Sequence, residues 1–200
     1  MSSFILAVDF ETTGLDPKLN EIIQFGAVLL NSSFDEVSEY SSLVRPRWPE
    51  RGIRDDFNVF EYTGISRNSL SSERLFLEVV KEFEAWLLSR IFTKSSGAPP
   101  SRKALHDVTF FGQNVAFDVS MLKEEYSRIG KSYPFDFHTL NLESFFVFSQ
   151  MLEKKRVPKV MHLRNIATHC GVTNLKAHDA IQDIRTTVEC ARQLLLRHKT

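Results

Sequence analysis

The segment that most constrains this chain is Asp9-Phe10-Glu11-Thr12-Thr13-Gly14-Leu15, set directly after the apolar run Phe4-Ile5-Leu6-Ala7-Val8. A short run rich in apolar and β-branched residues reads as a buried strand. Side chains alternate along a strand, so Asp9 and Glu11 project from the same face. Two neighbouring carboxylates repel each other, and burying them is costly unless a cation neutralises them. A divalent ion is the economical answer, and an oxygen-only ligand set points to Mg²⁺ or Mn²⁺. The end of this strand is therefore expected to form half of a metal-dependent phosphoryl-transfer site.

At 200 residues the expectation is a single domain over 1–200 with a sizeable core. Lys plus Arg and Asp plus Glu number 25 each, so no global basic field advertises nucleic acid. A polyanion would have to be held by local patches or by bound metal. Cys170 and Cys190 show neither C-x-x-C spacing nor a disulfide framework, which suits reduced core thiols in an intracellular protein. The chain carries no leader-like segment and no apolar run of membrane length, so a soluble, cytoplasmic protein is expected, with no membrane partner.

Further strands are expected at Ile22–Leu30, at 39–44 as the third strand of a meander, at Val108–Gly112 and briefly at 135–137. Residues 45–59, with prolines, arginines and acids, read as a loop, and 93–103 as a Ser-Gly-Pro connector. Leu75, Phe76, Val79, Val80, Phe83, Trp86 and Leu87 form one helical stripe that Ser66 or Ser72 could cap. Helices are also expected from Asn114 to about Ile129, over 139–151, over 162–169 and over 179–198. Strands first, then helices alternating with strands, imply an α/β mixed sheet flanked by helices.

D-x-E alone is a weak signal, arising by chance roughly 0.7 times in a chain of this length. Two further segments sharpen it: Asn114-Val115-Ala116-Phe117-Asp118 after a strand, and His178-Asp179-Ala180-Ile181-Gln182-Asp183 opening the last helix. N-x-x-F-D and H-x-A-x-x-D each occur by chance in only about 1 chain in 50. Together, in this order, the three resemble the exonuclease motifs of the DnaQ-like (DEDDh) 3′→5′ exonucleases, a family with a ribonuclease-H-like fold. Glu21-Ile22-Ile23-Gln24-Phe25-Gly26 and Thr63-Gly64-Ile65 extend the resemblance, which spans nearly the whole chain.

The resemblance implies a five-stranded mixed sheet with the second strand antiparallel. It also implies metal-dependent hydrolysis of nucleic-acid 3′ ends to nucleoside 5′-monophosphates. Asp9, Glu11, Asp118 and Asp183 would hold two divalent ions, Mg²⁺ or Mn²⁺, with Asp9 bridging them. His178 would be the general base, since an imidazole suits proton removal near neutral pH. Thr12, Thr13 and Leu15 would lie against the terminal nucleotide, and Asn114 would orient the site or the substrate. Single-stranded DNA or RNA 3′ ends are the implied partners, with DNA slightly favoured, and a DNA polymerase or repair complex is a further candidate partner.

Helix geometry separates the two acids of the last segment. The stripe Ile181, Ile184, Val188, Ala191 and Leu195 centres near Ile184. At about 100° per residue, Asp183 lies about 100° from that centre and Asp179 about 140°. Asp183 can thus reach the sheet rim, while Asp179 reads as a cap. The other histidines (106, 138, 162, 169 and 198) lack ligand-like spacing to the acids, and relatives often place an Asp where His138 stands. Phe57, Phe60 and Tyr62 are candidates for base stacking, and the basic run at 154–159 reads as a solvated loop. Two other readings stand beside the exonuclease: a non-catalytic nucleic-acid or polymerase-binding module, and an endonuclease of ribonuclease H type.

Overall fold

The computed structural model describes residues 4–47, 62–91, 101–173 and 178–198. Its strands are β1 (Phe4–Thr12), β2 (Ile22–Leu30), β3 (Glu36–Leu43), β4 (Val108–Gly112) and β5 (Thr139–Asn141). Its helices are α1 (Arg67–Ser71), α2 (Phe76–Ile91), α3 (Val115–Arg128), α4 (Leu142–Leu152), α5 (Leu163–Cys170) and α6 (Ala180–Leu196), with a 3₁₀ turn at Arg102–Asp107. The strands form one sheet in the order β3-β2-β1-β4-β5. Strand β2 is antiparallel to β1 and β3, while β1, β4 and β5 run parallel. This is the mixed sheet expected from the sequence.

Strand alternation decides which side of the sheet carries the chemistry. Leu6, Val8 and Phe10 of β1 join the core shared with α2 and α3. Ile5 and Ala7 join the opposite core, shared with α4, α5 and α6. Asp9 and Glu11 continue that second series, so both carboxylates emerge on the α4–α6 side. Most of the phenylalanines fill these two layers, among them Phe25, Phe83, Phe110, Phe111 and Phe146.

Several boundaries depart from the sequence-based expectations, each for a tertiary reason. Ser66 caps the short α1, its Oγ accepting from Ser69 N at 3.0 Å, and Ser72 closes that helix rather than opening the next. Helix α2 begins only at Phe76 because Leu75 pairs with Arg45 in a parallel bridge, with Arg45 N donating to Arg74 O at 2.8 Å. No strand forms at 135–137: Phe135 turns inward and meets the Phe110 ring edge-on at 4.9 Å. The strand lies instead at Thr139–Asn141, where Phe110, Phe111 and Gly112 supply its partners. Asn141 then caps α4 by accepting from Glu143 N at 3.2 Å, so that helix starts later than 139. Strand β3 begins earlier than expected, at Glu36, and of the 93–103 connector only 101–103 lie within the described residues.

Cys170 and Cys190 are buried and unbridged, with Cys170 Sγ 3.8 Å from Cys190 O. Among the described residues no helix is long and apolar enough to cross a membrane.

Candidate active site

The site forms where β1 outruns its neighbour. Pairing of β1 with β4 ends at Ala7 and Phe111, because the chain leaves β4 and turns at Asn114, which adopts a left-handed φ of 54°. This exposes the Phe10 N–H on that edge, and Asp118 Oδ1 accepts it at 3.0 Å from the first turn of α3. A backbone group that would otherwise go unpaired thereby fixes the Asp118 carboxylate beside Asp9 and Glu11. Asn114 is itself held by donating its N–H to Asn141 Oδ1 at 3.1 Å.

The fourth acid arrives with α6. Gln24 Oε1 of β2 accepts from Ala180 N at 3.3 Å, and Asp179 caps the helix by accepting from Gln182 N at 3.3 Å. Gly26 makes this docking possible: a Cβ there would lie 2.7 Å from Ala180 Cβ and 3.1 Å from the Asp9 carbonyl oxygen. Asp183 sits in the first turn, buried at 9% exposure, and its Oδ2 accepts from His178 N at 3.0 Å. His178 takes a left-handed φ of 66° just before the helix, and its ring packs on Tyr62 with centroids 3.7 Å apart.

All five residues (Asp9, Glu11, Asp118, His178 and Asp183) line one cleft of about 710 Å³. A second cavity of about 470 Å³ abuts it and shares Phe10, Glu11, Leu15, Tyr62, Phe117 and His162. Of the expected substrate residues, Leu15 lines both cavities, Asn114 the larger and Thr12 the smaller. Thr13 is not brought to either. It is buried in the stem of the loop after β1, donating to Asn20 Oδ1 at 3.2 Å and accepting from Glu21 N at 3.0 Å. Of the aromatics singled out for stacking, Tyr62 reaches the cleft, while Phe57 and Phe60 lie outside the described residues.

The electrostatics are those of crowded, desolvated carboxylates. Burial pushes the Asp9 carboxyl well up, and Asp118, Glu11, Asp183 and Asp179 push it further. Glu11 rises to about 7, first through burial and then through Asp183 and Asp179. Asp118 rises to about 8 mainly through burial, although the Phe10 N–H bond pulls the other way. Groups like these are stable as anions only beside a cation. Ligand atoms of Glu11, His178 and Asp183 lie within 4.8 Å of one another, close enough to share an ion. That group includes the imidazole and omits Asp9 and Asp118, which stand on the same cleft but outside that radius. The donor set fits a hard divalent ion with oxygen ligands, with His178 at its margin.

Sequence reasoning missed the opposite wall. His162, Leu163, Arg164 and Asn165, at the start of α5, line the cleft. Nothing in their spacing to the acids indicated this, because the approach depends on how α5 packs against α6. Arg164 is the one Lys or Arg on the cleft among the described residues, whereas the basic run at 154–159 lines neither cavity. His138 likewise stays away, its Nδ1 2.7 Å from Asp136.

A family model described as exonuclease (RNase T) matches residues 6–100 and 101–191. This chain belongs to that exonuclease family. Among its relatives within the family's reach, a DNA polymerase III PolC-type protein of Thermotoga maritima is 27% identical over 184 residues, covering 92% of this chain and 11% of the relative. A DNA polymerase III subunit epsilon of Treponema pallidum is 25% identical over 195 residues, covering 96% of this chain and 76% of that protein. The chain thus spans about a tenth of the PolC-type relatives it matches. The fold is shared with the crystal structure of cell-death related nuclease 4, at a TM-score of 0.78 and 18% identity, over 98% of this chain and 64% of that one. The DnaQ-like resemblance read from the three motifs therefore holds at the level of family and fold.

Proposed function

We propose that this protein is a metal-dependent 3′→5′ exonuclease that releases nucleoside 5′-monophosphates from single-stranded ends. The observation that carries the reading is the convergence of Asp9, Glu11, Asp118, Asp183 and His178 on one cleft, in a chain of an exonuclease family. In this reading residues 1–200 make a single exonuclease domain of a cytoplasmic protein. The relatives named as DNA polymerase III proteins support DNA as the substrate and a polymerase as a possible assembly partner.

Asp9, Glu11, Asp118 and Asp183 would hold two Mg²⁺ or Mn²⁺ ions. Such ions, when bound, acidify water and neutralise charge on the phosphoryl oxygens. The remaining work falls to the chain's own groups. His178 Nε2 or Nδ1 takes the proton of the attacking water, and the Asp183 carboxylate, bonded to the His178 N–H, fixes the backbone that carries the ring. Leu15 and Tyr62 offer apolar and aromatic surface to the terminal base without reading its identity. Thr12 borders the smaller cavity and Asn114 the larger, and Arg164 supplies the cleft with a guanidinium for the phosphate chain.

The deciding experiment follows 5′-labelled single-stranded DNA and RNA of equal sequence with Mg²⁺ or Mn²⁺, alongside Asp183→Ala. A metal-dependent ladder shortening from the 3′ end, lost in the variant, is expected, with the faster polymer naming the substrate. A circular strand should stay intact. No shortening of either polymer with either metal would sink the assignment and leave the binding module standing. His178→Ala should lower kcat by about 10²–10⁴ while KM stays within about threefold, because a general base acts on the transition state rather than on binding. An unchanged kcat in steady-state assays would remove His178 from the chemistry.

A further inference from the structure

Away from the catalytic acids, four charged side chains meet beneath the loop that follows β1. Glu21 and Glu125 are almost fully buried, and the Arg128 side chain is only 3% exposed. Arg47 Nε lies 2.8 Å from Glu21 Oε1, and its guanidinium reaches Glu125 Oε2 at 3.2 Å. Arg128 pairs with Glu125 Oε1 at 2.8 Å and faces Glu124 at 3.6 Å. Its other bonds go to backbone: it donates to the carbonyl oxygen of Asn20 at 2.7 Å and to that of Pro17. Its Nε is left without a hydrogen-bond partner. Burying such a group gains little stability over apolar packing, so what it contributes is geometry.

The geometry is that of the loop carrying Leu15. Thr13 N donates to Glu21 O at 2.9 Å, closing the stem, and a Cβ on Gly14 would sit 2.5 Å from Asn20 Oδ1. Leu15 is 79% exposed on the cleft rim, beside Glu11 and Tyr62. A side chain so exposed is not placed by packing around it; its position follows from the anchoring of its backbone. The Arg128 contacts to Pro17 and Asn20 anchor that backbone on α3, the helix that also carries Asp118.

We infer that Arg128 is a positioning residue for substrate, clamping the loop between Gly14 and Glu21 so that Leu15 meets the terminal base in fixed relation to the catalytic carboxylates. This rests on the proposed exonuclease reading for its kinetic consequence, but the clamp itself can be tested without turnover. The test compares Arg128→Lys, Leu15→Ala and the double variant on an oligonucleotide with an ordinary 3′ nucleotide and on one with an abasic 3′ end. Lysine keeps a charge for Glu125 but cannot reach both carbonyl oxygens with a planar fork.

In the unaltered protein, loss of the terminal base should raise KM by about tenfold, the order expected of one stacked base. Arg128→Lys should raise KM on the ordinary substrate to about the abasic level, with kcat within about threefold, and should lower the melting temperature because two buried carbonyl oxygens lose their donor. Leu15→Ala should abolish the same discrimination, and the double variant should add nothing further. In parallel, amides 15, 16, 18 and 19 of the metal-free Arg128→Lys protein should exchange hydrogen faster, with α3 unchanged. A variant that loses stability but keeps its KM and its base discrimination would reduce Arg128 to a structural role. Unchanged exchange in the loop would overturn the clamp whether or not the protein cleaves nucleic acid. If the unaltered protein degrades nothing, the exonuclease reading fails while the exchange result still decides the clamp.

Discussion

Asp9→Asn should abolish turnover and at the same time raise the melting temperature of the metal-free protein at pH 8. Asparagine keeps the shape of the side chain but removes a charge that burial, Asp118, Glu11, Asp183 and Asp179 all oppose. Without that anion the site loses one of the four carboxylates that would hold its ions, and turnover should drop by about a thousandfold or more. The same substitution relieves carboxylate repulsion that the folded, metal-free chain must otherwise carry. The stabilisation should vanish near pH 4, where Asp9 is protonated in the folded protein anyway. Thermal melts in chelator at pH 4 and pH 8, beside single-turnover assays with Mg²⁺, check both halves. A lower melting temperature for Asp9→Asn in chelator at pH 8 would mean that Asp9 is stabilised within the protein without a cation, and the metal-site reading would lose its main support.

The second large effect is on pH. Glu11 rises from 4.5 to about 7, Asp118 from 3.8 to about 8, and Asp9 moves in the same direction. Glu125, in the buried network under the loop, also rises to about 7, chiefly through burial. For each, the folded value exceeds the unfolded one, so the folded protein binds more protons than the unfolded chain between those values. Metal-free stability should therefore be greatest at or below about pH 4 as far as these groups are concerned, and should fall as pH rises to about 8. Glu11 alone contributes at most about 3 kcal/mol to that fall. In a chain of this length that corresponds to a drop of roughly 6–12 °C in melting temperature. Mg²⁺ or Mn²⁺ at pH 8 should restore the share of the loss that comes from Asp9, Glu11 and Asp118, because a cation in the cleft binds those anions, and should leave the Glu125 share unchanged. Melting curves from pH 4.5 to 8.5, with chelator and with metal, test this. A chelated protein that grows more stable across that range, or shows no response to metal at pH 8, contradicts the expected site electrostatics.

The carboxylates were legible in the sequence because their placement rests on local periodicity. Asp9 and Glu11 share a face through strand alternation, and Asp183 reaches the rim through its angle on the last helix. β2 and β4 end where their apolar runs end, at Ile22–Leu30 and Val108–Gly112. The strand expected at 135–137 failed for the opposite reason. Phe135 has the composition of a strand residue, but its ring fills a gap among Phe83, Phe110 and Tyr126, and the pairing edge of β4 is taken by Thr139–Asn141. Composition cannot choose between two segments that compete for one edge.

The cleft's far wall and the clamp beneath the loop were illegible for a related reason. His162 and Arg164 carry no spacing signal toward Asp9, and Glu21 and Arg47 lie far along the chain from the helical pair Glu125 and Arg128. They meet only once α3 packs under β1 and β2, and once α5 packs against α6. The sequence by itself thus determined the sheet-forming strands, the family motifs and the face on which the acids stand, since each follows from periods of a few residues. Only the tertiary structure decided which basic groups face those acids, why Thr13 is withdrawn into the loop stem, and what holds Leu15 at the rim. Those depend on contacts between segments whose meeting no local period encodes.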